Sequence, residues 1–361
     1  MKQIIFYAPL GRGIPVEKIG GAEAGCLKTK KIYETSGIEV IPLEKPTTSK
    51  GKISFLIGML ILPIKLMYLL QKYPCAVLHI VGFYTKIVGY EWLLMQICRL
   101  TGHKVIYELR NGSMVRTYED GSEIYRKILK ELLLKPDVVL CQGLEYVDFI
   151  KKQWGVERSY YPNYIMDAFN RKNNLERPYP LQLIYFGRVT ESKNVDVTIK
   201  ILSLVRKANI DAKLAIIGGY NKQYKSVLDE IVKEENLSDC VTFYGRKPFD
   251  FISEKLGHSH YFIFPSEEKQ EGHSNSLTEA MGFGVVPIVS DAGFNASICG
   301  VSELVMNSIN ANTFANKIID IEKKNLWRHY SEFVYRRVQE NYTQNIVSKN
   351  LISYIEPLFN S

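Results

Sequence analysis

The residues best suited to chemistry fall between Phe264 and Asp291, in FPSEEKQEGHSNSLTEAMGFGVVPIVSD. An apolar run ends at Pro265-Ser266 and a polar loop follows. Ser274, Asn275 and Ser276 then supply N-cap side chains for a helix carrying Leu277, Thr278, Glu279, Ala280 and Met281. Backbone N–H groups at such an end, around Ser276 and Leu277, attract anions, and the helix dipole adds to the attraction. Glu271 precedes the helix, and Glu279 lies about a turn inside it. The two carboxylates can reach opposite ends of one extended ligand whose phosphates meet the helix start. Capping alone describes a plain surface helix equally well.

A second constellation is Gly187-Arg188 followed by Lys193, in YFGRVTESKNVD. A strand ends at the glycine and two cations follow in a loop. Arg188 as a fork and Lys193 as a point charge can converge on one diphosphate. The alternative is a pair of solvated loop charges. His258 and His260 form an H-x-H without a third ligand nearby, which reads as a surface turn rather than a metal site. The chain contains no D-x-D triplet of the kind that holds a divalent ion against a diphosphate.

The elements that must position these residues alternate strand and helix. Strands are expected at residues 4–8, 39–42, 76–81, 105–109 and 138–141. Helices are expected at 22–35, 53–72, 86–101, 122–135 and 143–153. The polar segment 166–180, with Pro178 and Pro180 at its end, reads as a linker. The alternation then restarts, with strands at 181–186, 214–217, 241–244, 261–264 and 286–290. Helices intervene at 195–208, 221–236, 249–256 and 276–283. This rhythm predicts parallel sheets covered by helices, in two similar halves with a ligand cleft between them. Ligands of such sheets sit at the carboxyl ends of the strands.

The 361 residues suffice for about two domains, and 46% hydrophobic with 23% charged residues is ordinary for a globular chain. Disorder, collagen-like repeats and coiled coil are unlike this composition. Cys26, Cys75, Cys98, Cys141, Cys240 and Cys299 form no C-x-x-C pair, so neither a disulfide framework nor a zinc ribbon is expected. They suit a reducing compartment. The N-terminal apolar run is too short for a signal peptide and reads as a first buried strand. The net charge is +8; residues 1–165 hold 23 Lys and Arg against 15 Asp and Glu, and the remainder balance at 23 each. The excess in the first half favours an anionic ligand or an anionic membrane surface. Phe55 to Leu70, FLIGMLILPIKLMYLL, contains Pro63 and Lys65 and is short for a span. A buried core helix is the first expectation, and a helix lying on a membrane the second.

Together these stretches resemble the retaining nucleotide-sugar glycosyltransferases of family 4. GRVTESKN is similar to that family's "GR-x4-K-N" signature, and EGHSNSLTEAM to its E-x7-E element. AIIGGY at Ala215 to Tyr220 and VTFYGR at Val241 to Arg246 resemble its next two strand ends. Gly20-Gly21-Ala22-Glu23 resembles its "GGAE" turn, and YYPNYI its "P-N" segment closing the first domain. The resemblance runs along essentially the whole chain.

It implies the GT-B fold, two Rossmann-like domains with parallel sheets facing a cleft. The divisions would be 1–165 for the acceptor-binding domain, 166–180 for the linker, and 181–340 for the nucleotide-sugar domain. A final helix at 341–361 would pack back on the first domain through Tyr342, Ile346, Leu351 and Tyr354. It also implies roles. Arg188 and Lys193 would hold the donor diphosphate and Glu271 would face the sugar. Glu279 would bind the ribose, and backbone at Asn275, Ser276 and Leu277 would cradle phosphate. Gly21 would let backbone approach the phosphates, Gly187 and Gly219 would also bind the donor, and Arg246 would lie near the base. Two positions depart from the pattern. His273 stands where many members have Phe and is read as packing or polar tuning. Arg110, in ELRNG, stands at or beside a sugar-contacting His of some relatives, where it would serve the donor phosphate or an anionic acceptor.

The implied reaction moves a sugar from a nucleotide diphosphate to a glycan or lipid-linked acceptor hydroxyl with retention, without metal or other cofactor. It suits bacterial surface polysaccharide assembly in the cytoplasm, peripheral to the inner face of the membrane. A sugar epimerase on the same frame and a non-catalytic nucleotide-sugar-binding scaffold are the competing readings. Nucleic-acid binding is disfavoured by the modest charge and the lack of a basic–aromatic cluster.

Overall fold

The computed structural model describes residues 1–11, 21–48, 51–85, 87–167, 173–268 and 271–360. The expected GGAE turn therefore enters it only from Gly21 onward, and part of the expected linker lies outside the described residues. The chain divides into two units, Met1–Asn163 with Val347–Ser361, and Tyr164–Ile346.

The first unit alternates β1 (Gln3–Ala8), α1 (Gly21–Thr35), β2 (Glu39–Glu44), α2 (Lys52–Lys72), β3 (Val77–Gly82) and α3 (Val88–Leu100). It continues through β4 (Val105–Leu109), α4 (Met114–Glu119), α5 (Glu123–Leu134), β5 (Val138–Cys141), α6 (Leu144–Trp154) and β6 (Ser159–Tyr160). Its six strands are parallel, in the order β2-β1-β3-β4-β5-β6. Every residue of β3 and β4 is buried, as both faces of a helix-covered parallel sheet require.

The second unit begins with β7 (Leu181–Phe186), α7 (Val195–Lys207), β8 (Ala212–Ile217), α8 (Lys222–Glu234), β9 (Val241–Gly245) and α9 (Phe249–His258). It returns through β10 (Tyr261–Phe264), α10 (Asn275–Gly282), β11 (Val286–Ser290), α11 (Asn295–Cys299) and β12 (Val305–Met306). Helices α12 (Ala311–Lys323) and α13 (Trp327–Asn341) follow, and α14 (Gln344–Ile355) runs from the second unit's last residues into the first unit's. The sheet order is β12-β11-β10-β7-β8-β9, all parallel. From β7 the chain builds outward through β8 and β9, then returns to build the other side from β10. The gap between the ends of β7 and β10 is thus the topological switch point, where open parallel sheets bind ligands.

Three expectations need correction. Helix α2 is not a core helix: only Leu62, Leu66, Leu69 and Leu70 are buried. Apolar composition set that expectation, and composition does not say on how many sides a helix has neighbours. His258 and His260 do not share a surface turn. His258 is exposed at the end of α9, whereas His260 leads into β10, packs on Trp327 and accepts the Gln182 backbone N–H at Nδ1. In α14 the buried positions are Val347, Leu351 and Ile355, while Ile346 and Tyr354 are half-buried.

Candidate functional site

The switch point of the second unit gathers most of the chemistry. Strand β7 delivers Gly187 and Arg188 at its carboxyl end, where the buried Tyr185 hydroxyl donates to the Arg188 carbonyl at 2.5 Å. A short 3-10 turn, Glu191–Lys193, then brings Lys193 back toward the sheet. Asn194 ends that turn in the left-handed region, and its side-chain amide donates to the Pro265 carbonyl at 3.0 Å. The loop after β7 is so tied to the end of β10.

Lys193 is only 5% exposed. Its ammonium sits 5.0 Å from the centre of the Phe264 ring, 3.3 Å from Ser266 Oγ and 2.6 Å from Glu268 Oε2, and it pairs with Glu271. Ser266 Oγ also donates to Glu271 at 3.0 Å. Arg188, with 68% of its side chain exposed, reaches both oxygens of Glu268 at 2.9 and 3.0 Å. The site is therefore a chain of alternating charges: Arg188, Glu268, Lys193, Glu271. A buried ammonium is tolerable only with such partners, because desolvation alone costs several kcal/mol (about that for each buried ion). Burial opposes ionisation of Glu268, but hydrogen bonds and charge from Lys193 and then Arg188 outweigh it and hold its pKa below the ordinary value.

Close backbone approaches shape the surroundings. A Cβ on Gly293 would fall 1.8 Å from the Glu271 carbonyl oxygen, so the loop after β11 can meet the Glu271 backbone only at a glycine. A Cβ on Gly218 would fall 1.7 Å from the Gly187 carbonyl oxygen. The strand ends are laced there by Gly187 N–H to Ile217 O and Gly218 N–H to Gly245 O. Gly219 lies next to this seam beside exposed Arg246, whose Nε would be 3.7 Å from a Cβ at that position. Beside Glu268, a cavity of about 310 Å³ opens among Ser266, Ser290, Asp291, Gly293 and Asn307 at the carboxyl ends of β10 to β12.

Helix α10 starts as its capping residues dictate, with one correction. The Leu277 N–H is already donated to Ser274 Oγ at 3.4 Å, and the Thr278 hydroxyl donates back to the Ser274 carbonyl at 2.9 Å. The N–H groups expected to meet an anion at this end thus reduce to those of Asn275 and Ser276, both half-buried. Glu279 is half-buried in the second turn. His273 is buried edge-on against Tyr342, with ring centres 5.0 Å apart, and its Nδ1 lies 3.4 Å from Thr278 Oγ1.

Two of the expected residues belong to the first unit. Gly21 is exposed at the start of α1. Arg110 is 5% exposed and engaged inside its own domain. Its Nε and Nη2 both meet Glu108 at 2.5 Å, its Nη2 donates to Thr29 Oγ1 at 3.3 Å, and it lies over Gly25 of α1. Glu108 in turn stands 3.1 Å from His79 Nε2, and the Tyr33 hydroxyl stands 2.9 Å from His79 Nδ1. Burial opposes ionisation of Glu108, yet Arg110 and then His79 hold its pKa below the usual range. Burial also pushes His79 down, against the pull of Glu108. An arginine expected to face a phosphate is thus occupied by a carboxylate two residues earlier.

Glu268, Ser266, Asn194 and Gly293 were not among the expected site residues. The one signal for Glu268 is the pair of consecutive acids, Glu267-Glu268, directly after a buried strand. Among the described residues, no group of three His, Cys, Asp or Glu is placed to hold a metal ion.

Residues 166–338 match the family model described as glycosyl transferases group 1. Over 147 residues the chain is 28% identical to the amylovoran biosynthesis glycosyltransferase AmsK of Erwinia amylovora, covering 40% of this chain and 34% of that protein. It thus spans about a third of that relative's length. The fold is similar to sucrose-phosphate synthase from Thermosynechococcus elongatus, with a TM-score of 0.74 at 16% identity and full coverage of both chains. It is also similar to HepE of Anabaena in complex with UDP, with a TM-score of 0.72 at 12% identity, covering 99% of this chain and 100% of that one. These two structures bear on fold alone, and the fold class is GT-B.

Proposed function

Residues 166–338 belong to the group 1 glycosyl transferases, and from that premise we propose that the chain is a retaining glycosyltransferase using a nucleotide-diphosphate sugar. The observation that carries this reading is the pair Arg188 and Lys193 at the switch point of the second sheet, joined through Glu268. A diphosphate entering there meets an exposed guanidinium fork and a buried ammonium, with the start of α10 following the same loop. These groups are fixed before substrate arrives and stabilise the charge that develops on the departing diphosphate. Glu271 orients the sugar while it compensates Lys193, Glu279 binds the ribose, and Arg246 with Gly219 flanks the base. His273 acts by packing. Arg110 acts as a positioning residue that ties β4 to α1.

In the proposed step the bond from the anomeric carbon to the diphosphate oxygen breaks. The acceptor oxygen bonds the same face, and its proton passes to the leaving phosphate. No side-chain nucleophile and no metal are needed in this scheme. The acceptor is a glycan or lipid-linked hydroxyl of bacterial surface polysaccharide, a reading supported by the AmsK relative. The six unpaired thiols fit the cytoplasm.

The test is thermal stability in chelator against UDP, GDP, ADP and dTDP, followed by turnover with sugar conjugates of the nucleotide that binds. One nucleotide at about 100 times its dissociation constant should add ~2.7 kcal/mol of stability. No shift with any of them, and no turnover without metal, would overturn the proposal.

A further inference from the structure

Helix α2 displays what no other described element does. Ile53, Leu56, Ile57, Leu60, Ile61, Ile64, Met67 and Tyr68 are all exposed, Leu60 to 76%. At about 100° per residue these positions fill one arc of roughly 140°. The buried leucines, from Leu62 to Leu70, occupy the opposite side. Exposed Lys65 and Lys72 fall just beyond one edge of the arc and Lys52 beyond the other. Between Glu44 and Glu91 the sequence has six lysines and no acidic residue. A contiguous apolar face of this size on a soluble domain marks an interaction surface.

We propose that α2 is a membrane-docking helix that lies in the plane of an anionic bilayer surface, apolar arc down, its flanking lysines at the headgroups. The arrangement of apolar stripe, bordering cations and Tyr68 suits an interfacial helix. By length and mean hydropathy of 2.2 the same helix is long enough to cross a membrane. The topology excludes that. Helix α2 connects β2 to β3, and both strands pair with β1 in one sheet. A crossing helix would leave those strands on opposite sides of about 30 Å of hydrocarbon. The Tyr90 hydroxyl also donates to the Met59 carbonyl at 2.7 Å, holding the helix to the domain along its middle. A second copy of the chain is the less fitting occupant. A two-fold contact through this face would set lysines against lysines, with no carboxylate on the segment to relieve them.

The inference is independent of the transferase reading, because its readout is binding and not turnover. The full chain is floated with vesicles of phosphatidylcholine, or of phosphatidylcholine with phosphatidylglycerol. Binding to the second kind is expected. The double variant L60D/I64D should lower the bound fraction at least tenfold at unchanged melting temperature, since both side chains already face solvent. K52E/K65E should weaken binding by at least about fivefold per lysine, and added salt should erase that difference. Failure to float with anionic vesicles overturns the proposal, as does binding that L60D/I64D leaves intact. Lipid-free self-association removed by L60D/I64D would assign the face to a second copy and overturn it equally.

Discussion

Arg110 and Arg188 each follow the end of a buried parallel strand, β4 and β7, and each is held by a glutamate. Around Arg110 the network is buried. Glu108, His79, Tyr33, Thr29 and Tyr161 use one another, and all lie in the interior of the first unit. Around Arg188 the network is open. The guanidinium faces solvent, its glutamate borders a cavity, and Lys193 and Ser266 behind it are buried. Residue type is the same in both places. Surroundings separate an arginine that holds a domain together from one whose solvent-facing side can meet an anion.

The difference can be broken first at Arg110. Arg110→Ala leaves Glu108 buried without its main counter-charge, and denaturant unfolding should show a loss of about 3–5 kcal/mol. Arg188→Ala, at an exposed pair, should change stability by no more than about 1 kcal/mol. Equal effects at the two sites would erase the distinction between them.

The next largest effect is expected in turnover. Lys193→Ala should lower kcat about 10²–10³-fold, the usual consequence of losing one preorganised donor to a developing negative charge. A tenfold loss or less would remove Lys193 from the proposed machinery.

Acid titration sharpens the comparison further. His79 and His260 are kept neutral mainly by burial, His260 down to about 4. The unfolded chain takes up protons there that the native state refuses, so stability should begin to fall as pH drops below 6.5, their ordinary value. Glu108 and Glu268 have native pKa values below the ordinary 4.5, so their contribution is present above that pH and is lost as pH falls through the native values. Glu108→Gln should flatten the lower limb of the curve more than Glu268→Gln does, as read by unfolding free energy across pH. The smallest effect is expected for Glu268→Gln on binding. That carboxylate occupies the cations a diphosphate would need, so its neutralisation should tighten nucleoside diphosphate binding a few-fold in calorimetry.

Strands β4, β5, β7, β10 and β11 are legible in the sequence to the residue, because each is a buried apolar run with turn residues at its ends. Elements α4, α11, β6 and β12 are too short to show a period, and α12 and α13, at 13 and 15 residues, are absent from the expected elements as well. Arg188 with Lys193, and Glu271 with Glu279, stand out by their spacing; the structure links Arg188 through Glu268 to Lys193, which pairs with Glu271. Glu268 escaped because its importance comes from β7 lying next to β10, a neighbour relation across some 80 positions of chain. Arg110 was read as a ligand contact because nothing in ELRNG states that Glu108 and Arg110 meet in the interior. The face of α2 was misjudged for the converse reason, since hydropathy records what a helix is made of and not what covers it.

The central claim is that Arg188 and Lys193 form a diphosphate site that needs no metal. Its most direct test is calorimetric titration of the nucleotide chosen by the stability panel into wild type and Arg188→Ala, both in chelator. The account predicts a dissociation constant at least tenfold weaker in the variant, at a melting temperature little changed. Equal affinity in the two proteins would contradict it.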